Sequence, residues 1–190
     1  MLKRAFSPAL PALAALAAAP ALADAADARF AIVAGYDAGG DKIVNINYSN
    51  GKTDSIRANE GLRLGAGVSL LNEAGNVEFL GTASVKYLYL HADNANLTWM
   101  SFPLDALVFY RRQSFRLGGG LTYAMNPQIL GSGAAASVEM KLDNELGAVL
   151  QGDYLVGPIS LGLRYTILEY KLSGSTVKSN GLGISFGFTF

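Results

Sequence analysis

Apolar residues alternate with small or polar ones along most of this chain. The pattern is sharpest at the carboxy terminus, where Leu182, Ile184, Phe186, Phe188 and Phe190 alternate with glycine, serine and threonine. Successive side chains of a β-strand point to opposite faces. This stretch therefore predicts a strand with one bulky apolar face and one face of small residues.

The same alternation predicts seven further strands. The predicted ranges are 29–37, 61–71, 77–89, 99–111, 115–124, 145–155 and 159–170, with 181–190 as the closing strand. Their lengths are close to the roughly 9–11 residues with which a tilted strand crosses a bilayer. Within the fourth strand, Pro103 lacks a backbone donor and predicts a bulge or local bend.

The connections between these strands alternate in length. Tight turns are predicted at 72–76, 112–114 and 156–158, whereas 38–60, 90–98, 125–144 and 171–180 are longer and polar or rich in glycine and serine. Small outer-membrane barrels have short periplasmic turns and long extracellular loops. We therefore predict an all-β fold, an eight-stranded antiparallel up-and-down transmembrane β-barrel with both ends on the periplasmic side.

The composition of the two faces indicates which one meets lipid. A soluble barrel would point its large apolar residues inward, but here the second face is glycine, serine and threonine with a few charges. Such a face suits the narrow interior of eight strands. The aromatic residues of the apolar face fall near both predicted rims, as the girdles of a membrane barrel do. They are Tyr36, Tyr87, Phe102, Tyr123 and Tyr165 at the outer rim, and Phe30, Phe79, Tyr110, Phe115, Tyr154, Phe188 and Phe190 at the periplasmic rim.

The amino terminus has the features of a cleavable signal peptide over residues 1–23, which leaves 24–190 as the barrel domain. Lys3 and Arg4 precede an apolar, alanine-rich run, and Ala21-Leu22-Ala23 matches the small-x-small cleavage rule. The alternative is an uncleaved membrane helix. It is disfavoured because prolines interrupt the run and the run is short for a span of about 20 residues.

Composition excludes several classes of function. The chain has 15 basic and 15 acidic residues, so its net charge is zero and no basic patch suggests a nucleic-acid partner. Cysteine is absent, which excludes disulfides and thiolate metal sites. Gly39-Gly40 and Gly118-Gly119-Gly120 are not phosphate-binding loops, because no helix follows them. We expect no cofactor and no metal.

Charged residues on the glycine-rich face form the main candidate site. The predicted lumen charge network consists of Arg29, Arg63, Glu78, Lys86, Asp105, Arg111, Arg116, Glu145, Asp153 and Arg164, and Asp37 lies on the same face. Buried charges need partners. The first interpretation is a salt-bridge network that fills the barrel. The alternative is a narrow conduit for small solutes, against which the small strand number argues.

His91, at the outer end of the third strand, is the only histidine. Ser84 and Ser101 lie on neighbouring strands, so a serine–histidine pair of a lipid-modifying outer-membrane enzyme is an alternative function. No sequence spacing specifies such a pair, and a solvated loop histidine is the simpler interpretation. We therefore predict a protein that is not an enzyme.

The long connection 38–60 contains a hairpin signal. Asn50-Gly51 separates two strand-like runs within 42–57. This signal predicts either that the first two barrel strands extend beyond the membrane or that a separate hairpin folds there. The segment is expected to cap the barrel mouth or, alternatively, to present a sheet edge that binds an extracellular protein by strand addition.

The leader, the alternating strands, the tight inner turns and the terminal Phe190 together resemble the OmpA/OmpX/OmpW class of small outer-membrane barrels. The resemblance implies the bacterial outer membrane of a Gram-negative cell, with its lipid and lipopolysaccharide, as the location. It also implies that Phe186, Phe188 and Phe190 form the signal read by periplasmic chaperones and the barrel-insertion machinery. The expected role is structural or surface-interacting and non-enzymatic.

Overall fold

The computed structural model describes residues 25–47, 53–91, 95–133, 135–172 and 175–190. The predicted signal peptide and the Asn50-Gly51 turn lie outside the described residues. In the described part of the chain, no helix is long and apolar enough to cross a membrane.

The described residues form thirteen strands. In chain order these are β1 (Ala25–Gly39), β2 (Lys42–Asn47), β3 (Thr53–Arg57), β4 (Gly61–Asn72), β5 (Val77–His91), β6 (Ala95–Arg112), β7 (Phe115–Gly133), β8 (Glu139–Lys141), β9 (Glu145–Val156), β10 (Ile159–Ile167), β11 (Glu169–Leu172), β12 (Ser175–Lys178) and β13 (Gly181–Thr189).

Eight of these strands close into an antiparallel barrel. The order is β6-β5-β4-β1-β13-β10-β9-β7, and β7 pairs back to β6. The seam joins the first and last strands from Ala31↔Thr189 to Gly39↔Gly181. The N–H of Phe190 then donates to the carbonyl of Phe30 at 2.9 Å. The predicted fold class is confirmed.

The remaining strands extend or cover the end of the barrel that carries the long connections, here called the loop end. Strands β2–β3 and β11–β12 are separate two-stranded sheets, and β8 pairs with the far part of β7. The opposite end, here called the turn end, carries the tight turns between β4 and β5, β6 and β7, and β9 and β10.

Several sequence-based boundaries were wrong, including the start of β6 at Ala95, inside the predicted loop 90–98. The predicted loop 125–144 begins inside a strand, because β7 continues to Gly133 alongside β6. The predicted strand 159–170 breaks at Leu168, because Glu169 and Tyr170 turn away to pair with β12.

A bulge near Pro103 explains part of the error in the predicted loop 125–144. The β6–β7 register shifts between Met100 and Phe102, so that Asn126 and Pro127 lie opposite Ser101. Asn126 has a φ of 46°, a left-handed conformation that asparagine tolerates better than most residues. Because one residue is added, the inward-facing positions of β7 change from even to odd numbers beyond the bulge.

The outward face of the barrel is apolar and exposed. Leu64 is 60% exposed, Leu117 71% and Ile184 63%, and similar leucines, valines and aromatic residues surround the barrel. An exposed apolar surface that runs all the way around a barrel is stable only in an apolar medium such as lipid. The inward face holds the buried polar and charged residues, so the assignment of faces from sequence agrees with the structure.

Aromatic rings lie at both ends of this apolar belt. Tyr36, Tyr87, Tyr123 and Tyr165 are exposed towards the loop end, and Phe30, Tyr110, Phe115, Tyr154 and Phe190 towards the turn end. Phe115 and Tyr154, which are cross-strand partners, make an edge-to-face contact with ring centroids 4.9 Å apart.

We predict that Leu64→Arg destabilises the barrel in lipid vesicles by about 2–4 kcal/mol, the cost of a cation near the bilayer centre. Urea unfolding of the vesicle-embedded protein measures the change. Ala74→Arg, in the exposed turn after β4, is the matched control and should change the free energy of unfolding by no more than about 0.5 kcal/mol. A near-zero cost for Leu64→Arg would mean that this face does not meet lipid.

Candidate functional site

The lumen is occupied by charged side chains in two layers. The turn-side layer is centred on Arg116 of β7, with Glu78 and Asp153 as its acidic partners. Arg116 Nε donates to Asp153 Oδ2 at 2.7 Å, and Nη1 pairs with Glu78 Oε1 at 2.5 Å. All three side chains are buried. One guanidinium thus joins a carboxylate of the neighbouring strand β9 to a carboxylate of β5, two strands away on its other side.

Further contacts complete the turn-side layer. Arg116 Nη2 donates to Ser160 Oγ at 3.1 Å, and Ser69 Oγ donates to Glu78 Oε1 at 2.8 Å. The guanidinium carbon lies 4.4 Å from the centroid of the Phe109 ring, a cation–π distance. Arg111, whose side chain is partly exposed, pairs with Glu78 Oε2 at 3.1 Å and closes the layer towards the turn end.

The loop-side layer consists of Asp37, Arg63, Lys86, Asp105 and Arg164. Lys86 Nζ lies 3.0 Å from Asp37 Oδ2, and Arg164 Nη2 donates to Asp105 Oδ1 at 2.9 Å. Arg63 lies between the two carboxylates, at 3.8 Å from Asp37 and 3.9 Å from Asp105. The layer has more cations than carboxylates, and Arg63 is the cation with the longest ion-pair distances.

Gln151 connects the two layers. Its side-chain nitrogen donates to Asp153 Oδ2 at 3.0 Å, and its side-chain oxygen accepts from Arg164 Nη1 at 3.4 Å. The charges of the lumen therefore form one continuous network. Asp37, Glu78, Asp105 and Asp153 balance Arg63, Lys86, Arg116 and Arg164, which makes the buried set neutral.

Three residues of the predicted network lie outside this buried set: the partly exposed Arg111 described above, Arg29 and Glu145. Arg29 pairs with Asp27 at the turn end, and both side chains are about two-fifths exposed. Glu145 pairs at 3.2 Å with the exposed Lys171 at the loop end. Arg29 and Glu145 both occupy lumen-facing positions, but near strand ends where water reaches them. The period-two pattern gives the face of a residue and not its depth.

Glycines on the lumen face leave room for these side chains. Gly183 is the cross-strand partner of Asp37, and Gly162 is the partner of Asp153. A Cβ at either glycine would collide with the carboxylate of its partner. At these positions glycine complements the charge network, since the narrow interior of eight strands leaves little room for side chains.

The lumen also contains apolar residues that are not part of the predicted charge network. Leu107 and Phe109 of β6 face inward and form a buried cluster with Ala31, Leu80 and Val149. The signal was present in the sequence, because Leu107 and Phe109 interrupt the alternation of their strand. Phe109 provides the ring beneath Arg116.

An apolar cap closes the loop end of the lumen. Its buried residues are Ile56, Ala58, Leu97, Trp99, Ala124, Ile129, Leu142, Leu168 and Tyr170. Trp99 and Tyr170 pack edge to face with ring centroids 5.9 Å apart. Burial raises the pKa of Tyr170 above its ordinary value, so this phenol stays neutral at physiological pH. The cap has the composition of the core of a soluble domain.

The connection after β3 links the cap to the charges below it. Ile56 and Ala58 belong to the cap, and the next residue, Asn59, is buried and accepts a hydrogen bond from Lys86 Nζ at 2.8 Å. The predicted hairpin in 42–57 is present as β2 and β3. Ile56 of β3 belongs to the cap, and Ile43 and Val44 of β2 pack against it.

His91 is placed away from both candidate serines. It lies at the tip of β5, exposed, with Nδ1 2.5 Å from Asn96 Oδ1 and its ring stacked on Tyr89. Ser84 is buried in the lumen seven residues along the same strand, roughly 23 Å away at the rise of a strand. Ser101 is buried on the lumen face of β6. The geometry does not form the serine–histidine pair.

Two small cavities lie in the lumen among the described residues. One, of about 10 Å³, lies between the layers beside Arg116 and Gln151, and the other, of about 20 Å³, lies between the loop-side layer and the cap. Each has room for about one water molecule. Among the described residues, no group of three or more histidine, cysteine or acidic side chains is placed to hold a metal ion.

Compared with models of known protein families and with curated protein sequences, the chain shows no match. Among solved structures, it is similar to the Neisserial surface protein A (NspA), with 15% identity and a TM-score of 0.51 over 86% of this chain and 99% of that one. At this identity the likeness concerns the fold. The fold is that of a small eight-stranded outer-membrane barrel.

Two other barrels align over a similar length. The N-terminal β-barrel domain of Pseudomonas aeruginosa OprF has 13% identity over 85% of this chain and 97% of its own, with a TM-score of 0.39. The Yersinia pestis outer membrane protein Ail has 15% identity over 86% of this chain and 100% of its own, with a TM-score of 0.38. Because both scores lie below 0.5, they add nothing to the fold argument.

The closed barrel and its apolar belt together agree with the predicted location in the outer membrane. In hydrocarbon every backbone polar group needs an internal partner, and the closed ladder provides it.

We predict that Arg116→Met costs about 3–5 kcal/mol, because Glu78 and Asp153 would remain buried without their shared cation. Urea unfolding in lipid vesicles measures the loss. Arg29→Met is the matched control, since it removes the same group from an exposed ion pair and should cost no more than about 1 kcal/mol. Equal costs for the two variants would contradict the buried network.

Proposed function

We propose that this chain is a sealed, non-enzymatic barrel of the outer membrane, whose role is to stabilise the envelope or to present its loop end to partners outside the cell. The observation that carries the proposal is the filled lumen. A network of buried charges that is neutral as a whole lies beneath an apolar cap, and every level of the barrel is occupied by side chains.

The conduit alternative has little support from this arrangement. A solute would have to displace Trp99 and its neighbours and then separate ion pairs such as Arg116–Glu78 and Arg164–Asp105. Separating a buried pair leaves unpaired charges in a low-dielectric site, at a cost of several kcal/mol. The lumen is therefore better suited to holding the barrel together than to conducting.

The enzyme alternative lacks an assembled site among the described residues. His91 is exposed and engaged with Asn96, on the outer face of a strand whose Ser84 faces the lumen. General-base activation of a serine needs the two groups within about 2.6–3.2 Å. Nothing in the described geometry favours a lipid-modifying activity.

The surface-interaction part of the proposal is supported by the loop end. Strands β5, β6 and β7 extend past β4 and β9, and β8 adds a short strand to them. A rigid platform results, because its inner side packs on the cap. The 42–57 hairpin is a separate two-stranded sheet that packs on the same cap, and an extracellular protein that adds a strand to its edge remains a proposed partner.

The carboxy terminus supports the proposed assembly partners. Phe186 is exposed to the lipid side, and Phe188 and Phe190 pack together at 4.8 Å between ring centroids, beside Phe30. Recognition of these rings by periplasmic chaperones and the barrel-insertion machinery would precede closure of the seam. Lipid and lipopolysaccharide are the proposed partners of the finished belt.

Planar-bilayer recording of the purified, refolded protein tests the sealed-barrel proposal. We expect no steady single-channel steps, because the lumen offers only cavities of about one water molecule each. A sixteen-stranded porin reconstituted in the same way is the positive control for detection. Reproducible steps that scale with the amount of folded protein would overturn the proposal in favour of a conduit.

A further inference from the structure

The cavity of about 20 Å³ between the loop-side layer and the cap has an unusual lining. Its charged side chains are Arg63, Lys86 and Arg164 on the one hand and Asp37 alone on the other. Asp105, the partner of Arg164, does not line this cavity. The wall is therefore cationic, although the lumen as a whole is neutral.

Burial makes this local imbalance costly. Arg63, Lys86, Arg164 and Asp37 are all less than a tenth exposed. Lys86 takes the closest approach to Asp37, at 3.0 Å, and leaves Arg63 at 3.8 Å from the same carboxylate. A buried cation without a close counter-charge is unfavourable in a low-dielectric interior, so an anion in the cavity would stabilise the layer.

The hydrogen-bonding groups that line the cavity also favour an anion. Among the described residues, Arg63 Nε, Arg164 Nε, Asn59 Nδ2 and Ser101 Oγ are buried atoms without a hydrogen-bond partner, and all four residues line the cavity. Asp37 Oδ1 is the corresponding acceptor. Donors exceed acceptors, which favours a ligand that only accepts hydrogen bonds.

From these observations we propose that the cavity binds one monatomic, monovalent anion of the size of chloride. The volume has room for about one water-sized particle, so phosphate and carboxylates do not fit. Leu168 and Tyr170 of the cap close the cavity from above, which shields the ion from bulk water. The site concerns the interior alone and does not depend on the role proposed for the barrel.

The first test compares thermal unfolding of the folded barrel in sodium chloride, sodium bromide and sodium gluconate at one ionic strength, by the heat-modifiable gel shift. Gluconate is too large for the cavity. We expect the midpoint to be about 2–4 °C higher in chloride and bromide, the shift that stabilisation by about 1 kcal/mol produces at this size. Equal midpoints in the three salts would overturn the proposal.

A matched pair of variants separates the cavity from general salt effects. Ser101→Ala removes one unpartnered donor from the cavity and should reduce the halide-dependent shift by half or more. Ser160→Ala makes the same change in the turn-side layer, where Ser160 accepts from Arg116, and should keep the full shift. A shift that both variants retain equally would contradict the site.

Crystals grown in bromide give the direct readout. We expect an anomalous peak in the cavity, within hydrogen-bonding distance of Arg63, Asn59 and Ser101. Bromide found only on the protein surface, with a water molecule in the cavity, would overturn the proposal even if the barrel is sealed as proposed above.

Discussion

Every backbone N–H and C=O group that enters hydrocarbon must find its partner within the protein. In this chain the requirement is met by pairing the first strand with the last, where β1 and β13 align from Ala31 to Gly39 and Phe190 adds a final bond to Phe30. In a closed barrel the number of strands, eight here, sets the width of the lumen. The positions of glycine, of the ion pairs and of the cap follow from that width.

Within so narrow a lumen, some of the large side chains depend on a glycine at the paired position of a neighbouring strand. Asp37 lies against Gly183 and Asp153 against Gly162, so glycine positions decide where carboxylates can be held. Arg116 then connects Asp153 to Glu78 across the barrel, and Gln151 carries the network to Arg164. A lumen built this way gains little room for solutes. Its ion pairs connect strands that are not hydrogen-bonded neighbours in the sheet.

The sequence was most informative where one face meets lipid. Period-two alternation located all eight barrel strands, because a position such as Leu64 or Ile184 can face only one way. It was least informative at the loop end. There the bulge at Asn126 reverses the faces of β7 and brings Ile129 inward, and Trp99 is buried in the cap instead of facing lipid. The alternation also did not predict how deep in the lumen a residue lies. Arg29 and Arg116 both occupy the lumen face, but only Arg116 is buried. No alternation encodes which carboxylate an arginine will reach across the barrel.

The central claim is that the bulky apolar face meets lipid while the charged face is enclosed. The most direct measurement is methyl-resolved NMR of the barrel in lipid nanodiscs, with nuclear Overhauser contacts recorded between side-chain methyls and acyl chains. Leu62, Leu163 and Ile184, all more than half exposed, should show strong acyl-chain contacts. Leu80, Leu107 and Val149, buried in the lumen, should show none. Acyl-chain contacts to the second set and not to the first would contradict the account.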